Sequence, residues 1–188
     1  MTMKNKQLAQ RVWWTAVLAL MMIMFGLTVF VNAQAESESD EKLPPIEKWE
    51  TISDVNLTLG FVKGWDSDGG AASAAGVAPS GKVRIHANIS QHNSFDEIRG
   101  ALQSEFSSWC DDVEMDESVL PDEINGLQVF SMNRKGKLKD DGSAVDIFVD
   151  FIEVKGKIVV LAAYGFHEGM EEHFNEYMAT RNSVKLAE

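Results

Sequence analysis

The longest apolar pattern of this chain covers residues 143–166 and predicts a β-hairpin. Its first half places alternate apolar residues on one side of an extended chain, whereas residues 158–166 are apolar on both sides. A strand can lack polar alternation when both of its faces are covered. Because Lys155 and Gly156 separate the two halves, we expect a tight turn there and a second strand that is buried in the middle of a sheet.

Three shorter stretches also alternate apolar and polar side chains and predict further strands, at residues 55–62, 82–90 and 127–133. The segments between the predicted strands and helices lack this alternation. We expect polar connections at residues 64–81, 111–123 and 134–142. The first of these is rich in Gly, Ala and Ser and cannot build a core of its own, so it is predicted to be a long mobile loop.

Two segments predict helices. Ser94 followed by Glu97 forms a capping box, and apolar residues at helical spacing then favour a helix over residues 95–109. Apolar residues also mark one face of a final helix over residues 169–183. The order ββαβββα, with hairpins that form an antiparallel sheet and two helices that cover it, predicts an α+β domain.

The chain begins with the pattern of an export signal. Positive residues precede an uncharged, mostly apolar stretch over residues 12–31, and Ala33-Gln34-Ala35 is the small-x-small site that a signal peptidase accepts. We therefore expect a signal peptide over residues 1–35, cleaved after Ala35, and an exported protein that is periplasmic or secreted. The alternative is an uncleaved N-terminal anchor at residues 12–31, because about 20 apolar residues can span a bilayer.

The segment after the signal is acidic and contains two adjacent prolines. This composition predicts a flexible linker over residues 36–50. The remaining chain, residues 51–188, suits a single domain with one core.

The charge balance narrows the choice of partners. The chain has 17 Lys and Arg against 29 Asp and Glu, a net charge of −12. Such a surface repels nucleic-acid phosphates and anionic lipid headgroups. We therefore expect no nucleic-acid partner, and membrane contact only through an uncleaved N-terminal segment. The single cysteine, Cys110, excludes an internal disulfide, and the acidic residues beside it disfavour a thiolate, so we interpret it as a packing residue.

Residues 156–185, GKIVVLAAYGFHEGMEEHFNEYMATRNSVK, resemble the PsbP-like superfamily, because a buried strand leads into a terminal helix. The resemblance extends to the capped helix at Ser94 and to residues 120–130, LPDEINGLQVF. This superfamily includes the photosystem PsbP extrinsic proteins, Ran-binding nuclear import factors and bacterial envelope proteins of the DcrB type. The resemblance implies an antiparallel sheet covered by helices, and it implies no particular activity, because one fold can host many functions.

A metal-site candidate lies in the predicted final helix. His167 and Glu171 are four residues apart and share a helix face, as two zinc ligands would. His173 falls nearly opposite, so the His-Glu-x-x-His motif is absent, and an acidic first turn favoured by the helix dipole is the simpler explanation. We predict no cofactor and no catalytic residues, and we keep a metal-dependent hydrolase as an alternative.

Two further segments match ligand sites in part. Residues 76–82, GVAPSGK, approach a phosphate-binding P-loop, but Val83 stands where Ser or Thr is required and opens a predicted strand. Asp66, Asp68 and the acidic residues at 111–117 are candidates for weak calcium binding. They lack the bidentate Glu of an EF-hand loop, and a solvated acidic face is the default interpretation.

We expect a non-enzymatic binding or assembly-accessory protein of the cell envelope, whose partner is another envelope protein. Trp65, Asp66 and Asp68, at the head of the predicted loop, are the candidate partner-binding residues, since exposed aromatic residues concentrate binding energy. In the competing interpretation Trp65 is tucked over a sheet edge. A carrier of an apolar ligand is a further alternative, because a helix-covered sheet can enclose a cavity.

Overall fold

A computed structural model describes residues 42–115 and 120–187. From Leu43 onward the chain forms one compact unit. The expected signal peptide or anchor, at residues 1–35, and the first part of the expected linker lie outside the described residues. Within the described ranges, no helix has both the length and the hydrophobicity needed to cross a membrane.

The described residues form eleven strands and three helices. In chain order the strands are β1 (Ile46–Ile52), β2 (Leu57–Val62), β3 (Asp66–Gly69), β4 (Ser73–Val77), β5 (Val83–Ile89), β6 (Cys110–Met115), β7 (Leu120–Ile124), β8 (Leu127–Leu138), β9 (Ala144–Val154), β10 (Lys157–Phe166) and β11 (Lys185–Leu186). The helices are α1 (Phe95–Trp109), α2 (His167–Glu172) and α3 (Phe174–Ser183). The predicted α+β class is confirmed, with more strands than the sequence pattern indicates.

The strands form two antiparallel sheets. The large sheet has the order β3-β4-β5-β10-β9-β8-β6, and β7 also pairs with β8. Strands β6 and β7 share one edge of β8 because they pair with different halves of that long strand. The small sheet has the order β1-β2-β11.

The predicted central hairpin is confirmed. Lys155 and Gly156 adopt φ values of 51° and 74°, as a two-residue hairpin turn requires. Strand β10 lies between β9 and β5, and its residues Val159, Leu161 and Ala163 are at most 1% exposed. Its position in the middle of the sheet explains why the strand is apolar on both sides.

The two faces of the large sheet are covered by different elements. The inner face, which includes Ile85 and Leu161, packs against the small sheet, α2 and α3. The outer face, which includes Val149 and Phe151, packs against α1. Helix α1 begins as predicted, because Ser94 Oγ accepts a hydrogen bond of 3.3 Å from the backbone N–H of Glu97.

The inner face contains a buried carboxylate whose charge is paired. Asp150 of β9 is 1% exposed. Its oxygens accept hydrogen bonds from Ser131 Oγ at 2.5 Å, Tyr177 OH at 3.2 Å and Arg181 Nε at 3.0 Å. Arg181 also donates to Asp122 at 2.8 Å. This network ties α3 to β8 and β9, and burial raises the pKa of Tyr177 above its usual range.

The expectation that residues 64–81 form a long mobile loop is wrong, because this segment forms the hairpin of β3 and β4 at the edge of the large sheet. Ala74 is 2% exposed. A Cβ atom added to Gly76 would stand 2.2 Å from Cε1 of Phe61 in the small sheet. Small residues are required where the two sheets approach so closely, and such residues produce no apolar pattern in the sequence.

Other expected connections are also partly wrong. Residues 111–123 contribute to β6 and β7, and β8 continues through the expected hairpin loop to Leu138. The final helix is divided at His173 into α2 and α3. Strand β1 begins at Ile46, so the end of the expected linker at residues 36–50 belongs to the domain. Edge strands tolerate polar residues, because one side of such a strand faces water. An edge strand therefore lacks the apolar alternation by which a strand is recognised in a sequence.

Candidate binding groove

The outer face of the large sheet is left partly uncovered beside the C-terminal end of α1, where it forms a groove. The central hollow has a volume of about 330 Å³, and it is lined by Trp109 of α1, Val145 of β9 and Tyr164 and Phe166 of β10. The helix has 15 residues and is about 22 Å long, whereas the ten residues of β10 extend over about 33 Å. The helix is therefore too short to cover the strand, and Phe166 remains 44% exposed.

Two neighbouring hollows extend the groove along β10. One has a volume of about 190 Å³ and shares Trp109 and Tyr164 with the central hollow. The other has a volume of about 420 Å³ and shares Lys82 and Phe166 with it. Because the hollows share lining side chains, they form one groove that follows the direction of β10.

Two cations stand on the β5 side of the groove. Arg84 is exposed, and its guanidinium forms no hydrogen bond or ion pair with any residue in the described ranges. Lys82 Nζ is 3.9 Å from Glu172 Oε2, and both side chains are about half exposed, so this surface pair contributes little. In a chain with a net charge of −12, Arg84 is a positive group that remains available to a ligand.

A third cation is buried beneath α1. Arg134 of β8 is 2% exposed and lies over the Phe106 ring, 5.7 Å from its centroid. Its Nη1 donates to the side-chain oxygen of Gln103, whereas its Nε has no partner. Burial lowers the pKa of Arg134, and the charge of Arg99 lowers it further. Among the carboxylates whose side chains the structure describes, none pairs with this guanidinium.

The strand register places two of these cations in one row across the outer face. Arg84 is opposite Tyr164, Tyr164 is opposite Ile147, and Ile147 is opposite Arg134. Neighbouring strands are about 4.8 Å apart, so the two arginine Cα atoms are separated by about 14 Å. The row therefore combines an apolar middle with a positive residue at each end.

Comparison with known proteins identifies the architecture. No family model and no curated protein matches this chain. The solution structure of cyanobacterial PsbP (CyanoP) from Synechocystis sp. PCC 6803 matches it with a TM-score of 0.56 and 6% identity, over 81% of this chain and 98% of that chain. The fold is PsbP-like.

A second solved structure that is similar to this chain is LpqN, a protein involved in cell envelope biogenesis of Mycobacterium tuberculosis. It matches with a TM-score of 0.51 and 9% identity, over 70% of this chain and 83% of that chain. The predicted resemblance to the PsbP-like superfamily is therefore confirmed at the level of the fold. At these identities the likeness carries no activity from either neighbour to this chain.

In this PsbP-like domain, His167 and Glu171 lie together as predicted, on α2 at one end of the groove. His167 Nε2 is 3.3 Å from Glu171 Oε1, and His167 Nδ1 is 2.6 Å from Asp146 Oδ2. Asp146 and Glu171 together raise the pKa of His167, Asp146 having the larger effect. A metal ligand needs a free lone pair on the imidazole, whereas both nitrogens here face carboxylates. Within the described ranges, no three His, Cys, Asp or Glu side chains are grouped to hold a metal ion.

Trp65 is 6% exposed, so the expectation that it is an exposed anchor is wrong and the tucked arrangement is confirmed. Its indole Nε1 donates to Glu176 Oε2 at 2.7 Å. The same oxygen is 2.7 Å from His173 Nδ1, and His173 Nε2 is 2.9 Å from Ser80 Oγ. Sequence patterns do not reveal this relay, because its members come from three separate segments that only the fold brings together.

The order Ser80, His173 and Glu176 resembles the hydroxyl, imidazole and carboxylate of a hydrolase triad. The backbone amides that follow Ser80 are already engaged, because Gly81 donates to the Ala78 carbonyl at 2.8 Å and Lys82 donates to Ser80 Oγ at 3.3 Å. Neither amide is free to stabilise an oxyanion. The relay instead joins the turn between β4 and β5 to the junction of α2 and α3.

The remaining candidates lie apart from the groove. Asp66 and Asp68 are exposed on the edge strand β3, and their role in partner or calcium binding stays a prediction. Residues 76–82 lead from β4 into β5, so they lack the helix that a P-loop requires. Cys110 is 2% exposed, as expected for a packing residue, and burial raises the pKa of its thiol.

Proposed function

We propose that this protein is an exported, non-enzymatic binding or assembly-accessory protein of the cell envelope, and that it engages another envelope protein through the groove beside α1. The observation that carries the proposal is an open aromatic groove with an unpaired arginine in a strongly acidic chain. The export pattern at residues 1–35 and the PsbP-like fold that the chain shares with an envelope-biogenesis protein support the location.

The lining of the central hollow favours binding over catalysis. Its side chains are apolar apart from Lys82, Arg84 and the hydroxyl of Tyr164. The central hollow contains no carboxylate, imidazole or thiol that could act as a general base or nucleophile at neutral pH. The neighbouring hollows add His86 and Glu105 at one end and His167 and Glu168 at the other, and no hydrogen bond among the described residues joins either histidine to a serine or cysteine. Aromatic and arginine side chains are, in contrast, the residues that dominate the energy of protein interfaces.

Site-specific photocrosslinking in the native envelope tests this proposal. A photoreactive residue in place of Phe166 should capture one defined envelope protein, and the same residue in place of Lys157 should not. Lys157 is exposed on the same strand, and nine residues separate the two positions by about 30 Å. Capture at Phe166 should also fall when Arg84 is replaced by Glu. Equal capture at both positions, or capture that Arg84→Glu leaves unchanged, would overturn the groove as the interface.

A serine-hydrolase activity of the Ser80, His173 and Glu176 relay is tested with a fluorophosphonate, which reacts with activated serines. We expect no adduct at Ser80 after incubation of the purified protein, as read by mass spectrometry. An adduct at Ser80 that is absent from a His173→Gln variant would contradict the non-enzymatic assignment. The metal-dependent hydrolase alternative at His167 and Glu171 is tested by elemental analysis of the purified protein for zinc.

A further inference from the structure

We infer that the groove holds an extended peptide segment in which a carboxylate side chain is bound by Arg84 and neighbouring bulky apolar side chains lie against Trp109, Tyr164 and Phe166. This inference rests on the proposed function and specifies the chemistry of the partner. It follows from the charges, the shape and the side-chain spacing of the outer face.

The charges of the central hollow favour an acidic side chain there, whereas Glu105 and Glu168 line the hollows on either side of it. Arg84 is exposed beside the groove and has no partner within the described ranges, although acidic residues outnumber basic ones by 29 to 17. Arg134 adds a buried positive charge on the same row of the sheet, and a buried charge is screened less than an exposed one. A guanidinium binds a carboxylate through two parallel hydrogen bonds, which makes acidic side chains the preferred ligands of Arg84.

The apolar surface favours bulky side chains next to the carboxylate. Tyr164 is the cross-strand neighbour of Arg84, and opposed residues in an antiparallel pair have Cβ atoms about 5 Å apart. Tyr164 and Phe166 are two residues apart on β10, a separation of about 6.7 Å. Alternate side chains of an extended peptide have the same spacing, so every second side chain of a segment that runs along β10 can lie against one of these two rings.

The shape favours a peptide over a lipid or a membrane. A carrier site buries most of its small apolar ligand, whereas this groove is open and its Phe166 wall is 44% exposed. An acyl chain in the groove would remain partly in water. An anionic membrane surface would be repelled by a chain with a net charge of −12. A peptide tolerates the open side, because its backbone and alternate side chains are compatible with solvent.

A displayed peptide library tests the inference on the purified protein. The library consists of random octapeptides, selected against the protein and, in parallel, against Arg84→Glu and Lys157→Glu variants. We expect selected sequences to share an Asp or Glu with a Phe, Trp, Tyr or Leu two residues away. Selection on Lys157→Glu should recover the same motif, whereas selection on Arg84→Glu should lose the acidic residue. Selected sequences without an acidic residue, or no enrichment at all, would overturn the inference.

Binding constants then separate the ligand classes. Fluorescence anisotropy with a selected peptide should show a loss of tenfold or more when its acidic residue becomes Gln or when Arg84 becomes Gln, the size expected for a charge-assisted hydrogen bond. 1-Dodecanol, which has an apolar chain and no carboxylate, should not compete with the peptide, and competition at equal concentration would overturn the inference in favour of an apolar-ligand carrier.

The two proposals fail in different ways. If crosslinking at Phe166 captures an envelope protein whose bound segment has no acidic residue, the proposed function stands and the inference is wrong. If selected acidic peptides bind as expected but crosslinking in the envelope captures nothing, the peptide site stands and the proposed function is wrong.

Discussion

The two faces of the large sheet differ in whether a buried charged side chain is paired with a counter-ion. On the inner face, Asp150 is 1% exposed and is paired with Arg181 at 3.0 Å. On the outer face, Arg134 is 2% exposed, its Nε has no hydrogen-bond partner, and none of the carboxylates with described side chains pairs with it. An ion that is buried with its counter-ion and hydrogen bonds is tolerated, whereas an ion that is buried alone costs several kcal/mol. The inner face is therefore organised for stability, and the outer face retains an arrangement that lowers stability.

The difference indicates where selection has acted for something other than folding. Proteins satisfy most local rules and break one or two of them at functional sites. Here the unpaired Arg84 and the partly unsatisfied Arg134 occur on the same face as the groove, whereas the polar groups around Asp150 on the inner face form one hydrogen-bonded network. The contrast between faces agrees with the proposed binding surface beside α1.

The largest expected effect tests the inner face. Replacing Asp150 with Ala leaves Arg181 partly buried with only Asp122 as its carboxylate partner. We expect a loss of about 3–5 kcal/mol in the free energy of unfolding, measured by urea denaturation. Glu153→Ala is the matched control, because Glu153 is an exposed residue of the same strand and should change stability by less than about 0.5 kcal/mol. Similar values for the two variants would remove the contrast between faces.

The second effect tests how tightly the inner face is packed. A Cβ at Gly76 would stand 2.2 Å from a ring carbon of Phe61, so Gly76→Ala should cost about 1–3 kcal/mol through overpacking. Gly100 is an exposed residue of α1, and a Cβ atom added to it would have no neighbour within 4 Å. Gly100→Ala should therefore stabilise the protein by about 1 kcal/mol through helix propensity. The measurement is the midpoint temperature of thermal unfolding. If both variants shift this temperature in the same direction, the large and small sheets are not in close contact at Gly76.

The third prediction tests the buried cation of the outer face, and here the expected change in the free energy of unfolding is a gain instead of a loss. Arg134→Met replaces an unpaired buried cation with an apolar side chain of similar length, and we expect a gain of about 1–2 kcal/mol in the free energy of unfolding. Arg99→Met, at an exposed site on α1, should change stability by less than about 0.5 kcal/mol. The measurement is urea denaturation with an unchanged m value. A loss of stability in Arg134→Met would mean that the cation is compensated.

The sequence predicts the strands and helices that are buried in the middle of the fold better than the strands at the sheet edges. The hairpin of β9 and β10 and the helix α1 carry strong signals, because burial imposes apolar periodicity and Ser94 supplies a cap. The hairpin of β3 and β4 carries none, since close contact with Phe61 selects Gly and Ala. Strand β1 is an edge strand, and its exposed side chains read as part of a linker.

The candidate site is harder to predict, because it depends on what is missing from one face of the sheet. Arg84 and Tyr164 are cross-strand neighbours, which requires the register of β5 and β10 and not only their existence. A usable signal is the length of α1, which is too short to cover β10. Trp65 shows the opposite problem, since an aromatic residue in a Gly-rich segment suggests an exposed anchor, whereas its Nε1 is bound to Glu176 in the core.

The smallest expected effect lies where the two faces meet, at the end of the groove. Asp146 raises the pKa of His167 through a hydrogen bond of 2.6 Å, so His167 should titrate above the usual value of about 6.5. Because the folded pKa is raised, the stability that the pair contributes is fully present below the unfolded pKa and is lost as pH rises through the folded pKa. In Asp146→Asn, the NMR titration midpoint of His167 should fall, and the stability difference from the unaltered protein should shrink as the pH rises above that range. His167 is 43% exposed, so solvent screening keeps this effect small. An unchanged midpoint would show that the imidazole and Asp146 are not coupled in solution, which would leave Glu171 as the carboxylate in contact with His167.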